Sequence, residues 1–133
     1  MPPEQRELVR RWLAAAEGDW RVAHALLTSM AEPVFEAVCF HAQQCAEKYV
    51  KAILVAHAID FPKTHDMARL RQLMPAGLAL PLSERETDLL TDYAVETRYP
   101  EDGPDLDRAA SHEAIHLADR VRNAVLALHL ERL

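Results

Sequence analysis

Residues 33–58 read PVFEAVCFHAQQCAEKYVKAILVAHA, and their periodicity decides the fold. Phe35, Cys39, Ala42, Ala46, Tyr49, Ile53 and Ala56 recur every three or four residues, the spacing that puts side chains on one face of an α-helix. Pro33 suits an opening turn, where a missing N–H is no loss. At 1.5 Å per residue the segment predicts a helix roughly 40 Å long, from Pro33 to about Ala58.

Upstream, a first helix is predicted from about Pro3 to Met30, with Leu8, Trp12, Ala15, Val22, Leu26 and Met30 on its inner stripe. Downstream, a loop over Ile59–Thr64 leads to the short helix HDMARLRQLM at 65–74. Gly77 and two prolines keep the Pro75–Pro81 connection irregular. Ser83 and Glu86 have the spacing of a capping box and open a helix that carries Leu89, Leu90 and Tyr93 to about Thr97. The segment RYPEDGPD at 98–105 is too rich in Pro, Gly and Asp for regular structure. A last helix is predicted from about Asp105 to Glu131. Long helices with short links predict an all-α fold, an antiparallel four-helix up-and-down bundle with one additional short helix, as a single domain over 1–133.

Composition agrees. Of 133 residues, 50% are hydrophobic, only 6% aromatic and three are glycine, a balance that favours helix. The net charge of −6 argues against a surface that grips nucleic acid all over, because phosphate contacts need clustered Lys and Arg. Cys39 and Cys45 point in different directions from one helix, so they are expected as reduced thiols. The N-terminal MPPEQRELVRRW lacks an apolar signal core, and no stretch reaches the roughly 18 apolar residues of a membrane span. A cytoplasmic protein with no membrane partner is expected.

On the second helix His41, Gln44, Lys48, Lys51 and Val55 form one stripe, largely apart from the apolar positions. Two readings stay open for it. Its amide, imidazole and ammonium groups can donate to the oxygens of a phosphate or a nucleic-acid backbone. Alternatively it is a solvated face with Glu47 paired to Lys51. Asp19 falls on the first helix's apolar stripe and calls for a partner such as Lys48 or Lys51, unless it lies at the stripe's edge.

HAQQCAEKYVKAILV at 41–55, KTHDM at 63–67 and YAVETRYP at 93–100, with Trp12, Ala16 and Asp19 ahead of them, resemble the HEPN domain family. The resemblance implies a five-helix bundle, usually a homodimer, with a cleft for nucleotides or RNA. It also implies a nucleotidyltransferase protein as partner in a two-component or toxin–antitoxin module. Gln44, Glu47, Lys48 and Lys51 match the family's Gln-x-x-Glu-Lys-x-x-Lys pattern, His65 and Asp66 its His-Asp step, and Arg98, Tyr99 and Pro100 its Arg-Tyr-Pro corner. The expected ligand-binding residues are therefore His41, Gln44, Lys48, Lys51, His65, Arg98 and Tyr99, with no cofactor. Catalytic relatives are ribonucleases with four to six residues between an Arg and a His. Here 13 residues separate Arg98 from His112, and Arg108 lies too close to it. Metal-independent RNA cleavage is thus the alternative reading, and a noncatalytic protein-interaction module a third.

Residues 112–116, HEAIH, match the His-Glu-x-x-His string of zinc proteases. The predicted core stripe of that helix, Ala110, Ala114, Leu117, Val121, Val125 and Leu128, leaves His112 and His116 on roughly the opposite side. The position that often supplies a third ligand is Arg122. No resident metal is expected, and capture of an ion by the exposed pair, or by two pairs across a dimer, is favoured over catalysis. Three glycines cannot build a phosphate loop, and Cys45 beside His41 reads as a packed thiol.

Overall fold

The computed structural model describes residues 1–94, 99–102 and 105–133, and every regular element among them is helical. The elements are α1 (Pro3–Ser29), α2 (Phe35–Ala56), α3 (Met67–Gln72), α4 (Glu84–Asp92) and α5 (Arg108–Leu126), with single 3-10 turns at Pro100–Asp102 and Leu130–Arg132. α2 is the central element. It is buried on nearly all sides, from Val38 and Cys39 to Ile53 and Leu54, because α1, α5 and the shorter helices enclose it. α1 runs antiparallel to α2: Gln5 reaches the carbonyls of Val55 and Ala56, while Asp19 meets His41. α5 runs alongside α2 in the same direction, with Ser111 near Cys39 and the carbonyl of Phe35. This is the predicted all-α bundle.

The stripe that α1 buries differs from the expected one. Val9, Ala16, Ala23 and Leu27 are buried, with Trp12, Leu13 and Trp20 packed beside them, while Leu8, Val22 and Met30 are exposed. The spacing 9, 13, 16, 20, 23, 27 is a regular three-four alternation, one residue later than the predicted stripe and thus turned by about 100°. Of the predicted stripe, Trp12 and Leu26 do pack against the core, but Leu8, Ala15, Val22 and Met30 face outward. The small Ala16 and Ala23 let α1 lie close against α2, where Ala42 and Ala46 are also fully buried.

Helix ends follow local chemistry. The Ser83–Glu86 capping box forms as predicted, and Asp66 and Asp107 cap α3 and α5 by accepting backbone N–H bonds. α2 stops at Ala56 in a Schellman arrangement: Ala58 adopts φ 55°, its N–H bonds the carbonyl of Val55, and that of Ile59 bonds Leu54. α5 ends at Leu126, not near Glu131. His129 turns left-handed at φ 50°, and Leu130 folds back into the core. Burying Leu130 favours this reversal, and no Gly or Pro announces it in the sequence. α4 ends at Asp92, short of the predicted Thr97, which itself lies outside the described residues.

Candidate functional site

Glu47 organises the polar side of α2. Its carboxylate is only 2% exposed, yet three donors satisfy it. Oε1 accepts from Gln43 Nε2 at 3.0 Å and from His65 Nδ1 at 2.7 Å, and Oε2 accepts from Lys51 Nζ at 3.0 Å. Gln44 Nε2 donates in turn to Gln43 Oε1 at 2.7 Å. A carboxylate buried without such partners would cost several kcal/mol, so this set is what makes the position tolerable. Lys51 is also buried, its ammonium 5.5 Å from the Trp12 ring centre and 5.7 Å from that of Phe61.

The stripe is therefore not an ordinary solvated face. The Glu47–Lys51 pair forms as its spacing allows, but inside the protein. The upper part of the stripe serves Asp19, which accepts from His41 Nδ1 at 2.8 Å and Lys48 Nζ at 2.6 Å. Asp19 thus has the partner its position demanded, with an imidazole added. Of the predicted ligand residues, Gln44, Lys51 and His65 gather around Glu47, and His41 and Lys48 around Asp19. Tyr99 is 61% exposed. Arg98 lies outside the described residues.

His65 differs from the rest of the set. Its side chain is 63% exposed, although its Nδ1 is tied to a buried carboxylate. A carboxylate oxygen accepts only, so Nδ1 carries the proton and Nε2 is the nitrogen left for another partner. Asp66, the next residue, caps α3 and fixes the backbone beside it. A surface hollow of about 620 Å³ is lined by Gln5, Leu8, Trp12, Val55, Ile59 and Phe61 among others, and two of these, Trp12 and Phe61, are the rings beside the Lys51 ammonium.

A second polar network escaped the sequence reading. The Arg122 guanidinium grips Glu17 through two bonds of 2.8 Å and lies 3.9 Å from the Trp20 ring centre. Tyr49 donates to Glu17 at 2.5 Å, and Trp20 Nε1 donates to Asp119 at 2.7 Å. His24 is 3.3 Å from the same Asp119 oxygen. The Arg122 bond, helped by Tyr49, holds the Glu17 carboxyl down at about 2, and burial pushes the Tyr49 hydroxyl and Cys45 thiol up. This network joins α1, α2 and α5. Each member borders a core position, but pairing across helices leaves no local signature in a sequence.

His112 and His116 face outward, as their distance from the α5 core stripe predicts. No cluster of three or more metal-ligating side chains exists among the described residues, and no described helix is long and apolar enough to cross a membrane.

The same all-helical fold is seen in solved structures. TT1696 from Thermus thermophilus superimposes with a TM-score of 0.73 at 26% identity, over 90% of this chain and 96% of that one. ST0689, an archaeal HEPN homologue, superimposes with a TM-score of 0.64 at 24% identity over the same shares. The family model of the HEPN domain matches residues 9–129. The chain belongs to the HEPN domain family. No curated protein matches it significantly.

Proposed function

We propose that this HEPN protein binds a phosphate-bearing ligand, a nucleotide or a stretch of RNA, at the surface around His65. The observation that carries the reading is His65 itself, an exposed imidazole held by a buried carboxylate that leaves Nε2 unused. Anchoring one ring nitrogen to Glu47 satisfies that buried carboxylate and at the same time fixes the orientation and tautomer of an exposed imidazole whose Nε2 stays unused. Lys48, Tyr99 and Arg98 add donors in the pattern the family resemblance implies. The hollow walled by Trp12 and Phe61, the two rings beside the Lys51 ammonium, offers apolar surface for a base. Lys51 and Gln44 act indirectly in this reading, because they are buried and already serve Glu47 and Gln43, whereas His41 and Lys48 are each tied to Asp19 through one N–H and keep a second ring nitrogen or further ammonium N–H groups.

The working unit we propose is a homodimer that acts beside a nucleotidyltransferase partner, as the family resemblance implies. Titration calorimetry with nucleotides, comparing wild type with His65→Ala and Arg98→Ala, tests the site. Affinity should fall at least tenfold in each variant. Unchanged affinity in both would remove the assignment, and cleavage of RNA lost in His65→Ala would shift the reading to a ribonuclease.

A further inference from the structure

α5 carries two imidazoles that the proposed ligand site does not use. His112 and His116 are exposed and one turn apart, so their side chains share a face with Cβ atoms about 5–6 Å apart. Neither ring has a hydrogen-bond or ion-pair partner among the described residues. Glu113 between them turns instead toward Arg85 at 3.6 Å. The backbone beneath is rigid, because Ala114, Ile115 and Leu117 are buried against the core.

Two neutral imidazoles on one face of a rigid helix converge on a single divalent transition ion, with Zn–N distances of about 2.0–2.1 Å. A closed zinc site takes four ligands in a tetrahedron, and this chain offers two here. A two-fold axis through the metal would bring the same two imidazoles from another chain, the self-complementary arrangement of a symmetric pair. Ala109, exposed one turn ahead of His112, is small, and the flanking Arg108 and Arg120 on the same stripe are engaged elsewhere, with the Phe35 ring and with Glu86. We infer that His112 and His116 form half of a zinc-type metal site, which a second copy of this chain completes with its own pair.

The test uses untagged, metal-free protein, with zinc chloride titrated by calorimetry and the mass followed by light scattering on a sizing column. The expected result is one zinc per two chains, in particles no smaller than a pair of chains, with the zinc lost on chelation by EDTA. His112→Ala and His116→Ala, both at exposed positions, should each abolish uptake while melting as wild type does. Equal zinc uptake by wild type and variants would overturn the site. One zinc per chain with unchanged mass would overturn its sharing between copies.

Discussion

Replacing Lys51 by Ala separates a buried pair from a solvated stripe more sharply than any other substitution. On a solvated helix an i,i+4 pair contributes about 0.3–0.5 kcal/mol. Here the side chains of Lys51 and Glu47 are 7% and 2% exposed, and removing one partner of a buried pair typically costs about 3–5 kcal/mol. Gln43 and His65 still donate to Glu47 and offset part of that, whereas the lost contacts with Trp12 and Phe61 add about 0.5–1 kcal/mol. The expected sum is about 3 kcal/mol, which for a chain of this length lowers Tm by about 10 °C. Urea unfolding followed by circular dichroism gives the value. Lys51→Met, which keeps the apolar stem, should lose most of it too, and adding Glu47→Gln to Lys51→Met should recover part. A loss under about 1 kcal/mol for Lys51→Ala would refute the buried role.

Other consequences are as direct. Glu17 titrates at about 2 rather than its ordinary 4.5 because Arg122 clamps it. A depressed carboxyl contributes stability that is complete above pH 4.5 and lost as pH falls toward 2, so the advantage of wild type over Arg122→Ala should shrink across that range in acid melts. Arg122→Lys should not restore it, since an ammonium cannot make the two parallel bonds. Ala58→Gly should stabilise by about 1 kcal/mol in urea unfolding, because Ala58 holds a left-handed conformation that suits Gly. Cys39 and Cys45 are buried and form no disulfide, so a thiol reagent should label neither in the folded protein and both in denaturant.

Much of the architecture was legible in periodicity and punctuation. The Ser83–Glu86 box and the Pro75–Pro81 connection mark boundaries by local rules that held, while Pro33, expected in the opening turn of α2, lies just ahead of its N-cap Val34. What misled was size: Leu8, Val22 and Met30 outweighed Ala16 and Ala23 in the reading of α1, although close helix packing selects the small residues. The stripe of α2 presented the converse difficulty. Polar side chains at 44, 47, 48 and 51 look solvated until other helices close over them. Glu47 was visible as a motif residue, but its binding of His65 across 18 positions depends on the loop after α2. The Glu17–Arg122 clamp spans 105 positions and had no sequence signal beyond adjacency to core residues.

Ligand binding at His65 is tested most directly by a thermal-shift screen against nucleotides and short RNAs, with and without magnesium, on wild type and His65→Ala in parallel. A ligand at about 100 times its dissociation constant adds about 2.7 kcal/mol to the folded state. An upward shift is expected for a phosphate-bearing ligand in wild type, and its loss in His65→Ala. No shift with any of them, or the same shift in both proteins, would contradict a site built on this imidazole.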